Sequence, residues 1–282
     1  MSNSLVALKH QPVVAVLGLT GSGKSSFVNQ CVGSDVADAG SRLSSITQTP
    51  QAYPVMLDGR TVCLIDTPGF DDSHVSDIDR LQEVSLYLTD LYKAKVNLTA
   101  IIYLDDIRVE RIGGVALNNI RVLESLTGLD NVKAVIVATS FWTNPVGERM
   151  EEHETALMND DYFFGPMIRN GARYLRLPDW YSSPGQAECL SLLSEAVTGR
   201  QPIREMQIQR ELVDQGLSFG GTMAGQVVLA EIQRAQEQNL DKIRDLETKL
   251  SESLAQVEQR RGNGVGDVFR AFGRAADSCI LM

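Results

Sequence analysis

The chain has little that would place it outside the cell or across a membrane. Its first residues, MSNSLVALKHQP, lack a charged start followed by an apolar run. No stretch approaches the ~20 consecutive apolar residues that a bilayer span needs. The expectation is a chain made and kept in the cytosol, where the sequon Asn97-Leu98-Thr99 has no acceptor role. The four cysteines, Cys31, Cys63, Cys189 and Cys279, stand far apart without metal-ligand spacing. That excludes a zinc framework or a disulfide scaffold and leaves Cys31, Cys63 and Cys189 as expected core thiols. Positive charge is in deficit, with 26 basic against 36 acidic residues and a net charge of −10, which argues against a partner held by many phosphates such as nucleic acid. The apolar share of 43% suits an ordinary globular core.

Between about Val13 and Val197, short apolar runs (VVAVLG, TVCLIDTPG, TAIIYL, VKAVIVAT) alternate with longer segments of helical periodicity, including IDRLQEVSLYLTDLY and IRVLESLTGL. This alternation predicts an α/β domain over residues 1–200, three layers deep, with a mostly parallel sheet covered by helices on both faces. Proline is absent from Ile203 to Arg261, and Leu229, Ile232, Ile243, Leu246, Leu250 and Val257 keep a three-and-four spacing interrupted by Gln236, Asn239 and Ser253. A helical, coiled-coil-like arm over 201–262 is expected, folded back on the domain or paired with a second copy, with a break near Gly220, Gly221 and Gly225. Residues 263–282 read as a separate tail.

Residues 18–25, GLTGSGKS, match G-x-x-x-x-G-K-[ST] after an apolar strand and before a helical SSFVNQCV. Gly18, Thr20, Gly21, Ser22, Gly23, Lys24, Ser25 and Ser26 are the expected phosphate contacts. Glycines let backbone N–H groups close around phosphate oxygens, and the helix N-terminus adds positive potential. Lys24 would reach the β and γ phosphates and the Ser25 hydroxyl would bind Mg2+. In LIDTPGFDD, Asp66 leaves a buried strand where a carboxylate holds Mg2+ through water, and the Gly69 N–H can sense a γ-phosphate. Between the two motifs, SRLSSITQTPQ should carry a switch threonine for Mg2+ and γ-phosphate, with Thr47 first and Thr49 in reserve. DTPG favours GTP over ATP chemistry.

Two expected side chains are missing. Phe70 follows DTPG where small GTPases carry a water-orienting Gln, so hydrolysis should be slow unless Ser22, Asp71, His74 or an Arg from a second molecule completes the site. In VKAVIVATSFWTNPVG, the loop after the strand offers Thr143 where a guanine-reading Asp belongs. Losing such a charged pair costs roughly 1.5 to 3 kcal/mol, about one to two decades of affinity.

On GLTGSGKSSFVN, SITQT, LIDTPGFDD, IIYLDDIRVERIGGVALNNIRVLESLTG and VKAVIVATSFW, roughly residues 12–198, the chain resembles the septin-related and AIG1-like GTPases, most closely their fungal members. The resemblance implies GTP with Lys24, Ser25, Thr47 and Asp66 at the site, self-association through the G domain, and membrane attachment. It also suggests that Arg108 or Arg111 lies near a dimer surface, the alternative being a solvated loop. In this resemblance Thr139-Ser140-Phe141-Trp142-Thr143 stands for a segment like T-T-x-W-D, and RLPDW, residues 176–180, for the second base-binding loop, like R-F-D-N-T. Thr139, Thr143 and backbone groups are then the remaining base contacts.

The final CILM fits C-a-a-X, with Cys279 the prenyl acceptor and Met favouring farnesyl. One lipid binds marginally, so the amphipathic segment before it, with Val265, Val268, Phe269 and Phe272 on one face and Arg260, Arg261, Arg270 and Arg274 beside them, would be the second signal at the cytosolic face of a membrane. The expected function is a membrane-anchored GTP/GDP switch with slow hydrolysis stimulated by self-association. The alternatives are a nucleotide-binding scaffold without turnover and an ATPase with relaxed base reading.

Overall fold

The computed structural model describes residues 7–37, 49–69, 74–109, 114–177 and 185–279, and the side chains of these except 7, 74–78, 114–119, 235 and 254–279. Four strands fall on the apolar runs: β1 (Val13–Gly18), β3 (Arg60–Asp66), β4 (Ala100–Asp106) and β5 (Val135–Ser140), preceded by β2 (Gln51–Leu57) and followed by β6 (Arg173–Arg176). They form one sheet in the order β2-β3-β1-β4-β5-β6, parallel throughout except for the antiparallel β2–β3 pair. Strands buried on both faces need no polar side, which is why β1, β4 and β5 read as unbroken apolar runs.

Alternate residues of each strand serve opposite cores. Val13, Ala15, Leu17, Ile101, Tyr103, Val135 and Val137 face α2 (His74–Lys93), α3 (Gly114–Thr127), α4 (Glu148–Asn159) and α5 (Gly165–Arg169), with Leu81, Leu88, Leu123 and Phe164 buried against them. Val14, Val16, Leu64, Ile102, Leu104 and Ile136 face α1 (Lys24–Val32) and α6 (Gly185–Val197), where Phe27, Val28, Leu192 and Leu193 are buried. Cys31, Cys63 and Cys189 are buried free thiols in these cores. Burial pushes the Cys63 thiol up to about 11.

The first compact unit runs to Leu229 and the second from Ala230 onward. Beyond Pro202 the chain stays on the sheet: the Ile203 N–H bonds Leu98 O at 2.7 Å, and Ile203, Met206 and Ile208 enter the core over α2 and α3. A turn of α-helix at Gln207–Gln209 continues into a π-helical turn at Arg210–Asp214, pinned by Gln209 Nε2 donating to Leu88 O. The expected break near SFGG is a short 3-10 turn, Phe219–Gly221, before α7 (Met223–Cys279) begins. The helix runs through the tail segment as far as Cys279, while Cys279's side chain and residues 280–282 lie outside the described set.

Gly225 is required where α7 begins. A Cβ there would stand 2.0 Å from Phe219 O, so Gly225→Ala forces the Phe219–Gly221 turn away from the helix. The expected result is destabilisation by about 1 to 3 kcal/mol, read as a lower denaturant midpoint with an unchanged slope.

Candidate functional site

The carboxyl ends of β1 and β3 carry the phosphate motifs side by side. Gly18 closes β1 with φ +140°, and a Cβ on it would meet Leu104 O at 2.3 Å, so only glycine lets the loop turn this close to β4. Gly23 caps α1 with φ 95°, a left-handed turn that delivers the N-terminus of α1 to the loop. Lys24 is buried, and its ammonium donates to Gly18 O at 3.0 Å and Leu19 O at 2.7 Å, which holds the amine across the loop it must serve.

Ser25 Oγ donates to Asp66 Oδ2 at 2.8 Å, bringing together the two expected Mg2+ ligands from α1 and β3. A hydroxyl and a carboxylate in contact at the end of adjacent strands form an oxygen donor set that suits a hard, small cation. The Thr67 hydroxyl bonds Val16 O at 2.7 Å and fixes the Asp66 loop to β1. Gly69 passes against Thr20: an added Cβ would lie 2.6 Å from the Thr20 backbone. Arg80 on α2 donates to Gly69 O at 3.1 Å, a contact the motifs do not announce because it comes from the middle of a helix.

Asp66 lies on the β3 side of β1, and β4, β5 and β6 lie on the other side in the strand order. Ser140 Oγ bonds Ser22 O at 3.2 Å and Asp105 O at 3.1 Å, and so ties the loop after β5 to the phosphate loop. Phe141 follows in a left-handed conformation, φ 62°, and the Arg108 guanidinium stacks 3.9 Å from its ring centroid. Asp106 holds that guanidinium with two bonds, at 2.9 and 2.7 Å. Sequence reading missed this Phe141–Arg108–Asp106 platform.

Several expected residues take other places. Thr139 is fully buried, and its hydroxyl accepts from Trp142 Nε1 at 3.2 Å and Tyr174 OH at 3.0 Å, so it supports the loop from beneath instead of facing a base. Thr143 is exposed on the loop with its hydroxyl donating to Pro145 O at 3.0 Å. Ser22 is buried with its hydroxyl packed beside Gly18. Arg108 is engaged on its own loop while its side chain stays half exposed. Arg176 pairs with Glu154 and stacks 4.4 Å over Trp142, bracing the same loop from β6. Thr49 is exposed just before β2. Thr47, Phe70, Asp71, Arg111 and 178–180 lie outside the described residues, as does the His74 side chain.

Comparison with known proteins agrees with this geometry. Residues 13–139 match the family model described as 50S ribosome-binding GTPase. Immune-associated nucleotide-binding protein 3 of Arabidopsis thaliana is 29% identical over 163 residues, 57% of this chain and 46% of that protein. GTP-binding protein A of Dictyostelium discoideum is 36% identical over 87 residues, 30% of this chain and 19% of that protein. The chain thus spans less than half the length of these relatives. Toc33 of Arabidopsis thaliana, solved in complex with GDP and Mg2+, is 17% identical with a TM-score of 0.53, covering 68% of this chain and 87% of that one. A further structure, 16% identical with a TM-score of 0.54 over 68% of this chain and 84% of that one, bears on dimerization as important for the GTPase activity of the chloroplast translocon components atToc33 and psToc159. The chain has the P-loop GTPase fold.

Proposed function

We propose that this P-loop GTPase-fold chain binds GTP and GDP with Mg2+ and acts as a slow switch, its hydrolysis stimulated when two copies meet. The observation that carries the reading is the Ser25–Asp66 contact beside Lys24, the phosphate and metal residues assembled at the ends of two adjacent strands. Ser25 and Asp66, with Thr47, would hold Mg2+, which when bound neutralises phosphate charge. The chain's own contribution is to wrap backbone N–H groups from Gly21 to Ser26 around the phosphates and hold the Lys24 amine over them. The Gly69 carbonyl on Arg80 and the Gly69 backbone on Thr20 couple the DTPG loop to the phosphate loop and to α2, a route by which γ-phosphate loss can move a helix.

Self-association is supported by the Toc33 comparison, in which dimerization matters to GTPase activity, and by the motif resemblance to AIG1-like and septin-related proteins, including fungal ones. With Met282 as the carboxyl terminus, Cys279 would accept a prenyl group and, with the basic segment before it, would hold the chain at the cytosolic face of a membrane. A second reading, a scaffold that binds nucleotide with little base preference and does not turn it over, draws on the Thr143 hydroxyl being spent on Pro145 O.

Two measurements separate these readings. Denaturing the purified chain should release GDP or GTP; adenine nucleotides in comparable amount would defeat guanine selection. In single turnover with GTP and Mg2+, phosphate release should speed up as protein concentration rises. No release over hours would leave the scaffold.

A further inference from the structure

Thr99 immediately precedes β4 and Lys133 and Ala134 precede β5, so the amino edge of the sheet is a face separated from the phosphate loop by the length of a strand, about 20 Å. There a cavity of about 510 Å3 opens between the end of α3, the turn before β5 and the segment 200–210. Lys133, Arg200, Arg204 and Arg210 all line it, against the two carboxylates Asp130 and Glu205. This cationic excess stands out in a chain whose net charge is −10.

None of the four cations has a carboxylate within ion-pair distance among the described residues. Nor do the nearby backbone acceptors stand open to neutralise them. Asn131 Nδ2 donates to Thr127 O at 2.9 Å and Glu205 O at 2.7 Å, the Gly128 N–H closes Glu124 O, and one Arg200 nitrogen bonds Lys133 O at 2.6 Å. Arg200 is thereby fixed at the end of α6, and Glu205 is turned toward Tyr92 OH at 3.4 Å. Burial, and then the charge of Arg173, lower the Arg200 guanidinium from its ordinary value, against a smaller opposing effect of Glu195.

We propose that this cavity is a second ligand site, specific for a small multiply phosphorylated anion, free or as the headgroup of an anionic lipid. Arg204 supplies a planar, two-pronged donor, Arg210 a guanidinium held by Gln207 Oε1 with further N–H groups to offer, Lys133 a mobile point charge, and Arg200 a guanidinium already anchored by backbone carbonyls. The segment bearing Arg204 and Arg210 also carries Met206 and Ile208 into the core over α2 and α3, so an anion clamped there stiffens the join between the sheet and the start of α7. The site does not depend on the nucleotide reading, since none of its residues touches the phosphate loop.

The test uses the full chain with excess GDP and Mg2+, and titrates inositol trisphosphate by calorimetry. Saturable one-to-one binding should appear, weaken at least tenfold in Arg204→Gln/Arg210→Gln, and stay unchanged in the remote variant Arg60→Gln, a cation at the start of β3 that does not line the cavity. Thermal unfolding checks that each variant is folded; should the cavity pair fail that check, Lys133→Gln alone is expected to weaken binding severalfold. Capture by phosphatidylcholine vesicles containing a phosphoinositide, competed by inositol trisphosphate, assigns the lipid source. Soluble binding without vesicle capture assigns the free one. Absence of saturable binding in both formats, equal loss in the remote variant, or displacement by GDP would overturn the proposal.

Discussion

Replacing Lys24 by Ala is expected to weaken binding of GDP and GTP by about two to three decades while leaving the chain folded. The Lys24 amine is the one cation held across the phosphate loop in the described structure, at 3.0 Å from Gly18 O and 2.7 Å from Leu19 O. Those two carbonyls keep it extended over the loop. A hydrogen bond to a charged group contributes about 1.5 to 3 kcal/mol, and contacts to two phosphate oxygens, less the carbonyl bonds the amine gives up, amount to roughly 3 to 4 kcal/mol, or about 10²- to 10³-fold in Kd. The two carbonyls freed by the substitution sit at a loop that solvent reaches through Thr20 and Gly21, so water can replace the amine there and the cost to folding is small. Titration of a fluorescent guanine nucleotide reads the affinity, and a denaturant midpoint close to that of the parent reads the fold. An affinity within threefold of the parent's would mean that nucleotide is not held by this loop.

What was legible in the sequence follows burial and contiguity. The strands β1, β4 and β5 announce themselves because both faces are covered, and the phosphate loop does so because its chemistry lies in eight consecutive residues. β2 is hidden for the opposite reason. It is an edge strand with mostly exposed residues and Pro54 in its middle, recruited by the Asp58-Gly59 turn into an antiparallel pair with β3. The Phe141–Arg108–Asp106 platform was not legible because it depends on register: Asp106 faces Ser140 across the β4–β5 ladder, which brings the two following loops together. Thr139 was misread for a related reason. Its position at the end of β5 resembles a loop residue in sequence, but the last strand pairs, Thr139 with Asp105 and with Arg176, bury it completely. Composition placed a boundary at Pro202, and no pattern short of the folded core would have revealed that Ile203, Met206 and Ile208 belong to the first unit.

Thr143→Asp is expected to raise the preference for GTP over ATP by about 10- to 100-fold. The loop from Phe141 to Gly147 is tied to the phosphate loop by the Ser140–Ser22 bond, and Thr143 is exposed on it. In the parent chain the Thr143 hydroxyl donates to Pro145 O and offers a base at most one weak acceptor. Guanine selection in the parent therefore rests on groups other than a carboxylate at this position, and an added carboxylate sharpens it. An Asp at 143 changes the chemistry of selection. Its carboxylate accepts from the N1–H and 2-amino group of guanine, while adenine presents an acceptor at N1 and no amino group at C2, so adenine meets lone pair against lone pair. The gain of a charge-assisted pair for one base, about 1.5 to 3 kcal/mol, is one to two decades in the ratio. The loss of the exposed Thr143–Pro145 bond falls equally on both nucleotides and cancels from it. Competition between GTP and ATP for the same fluorescent nucleotide, in parent and variant, measures the ratio directly; an unchanged ratio would place base reading on another loop and remove Thr143 from the site.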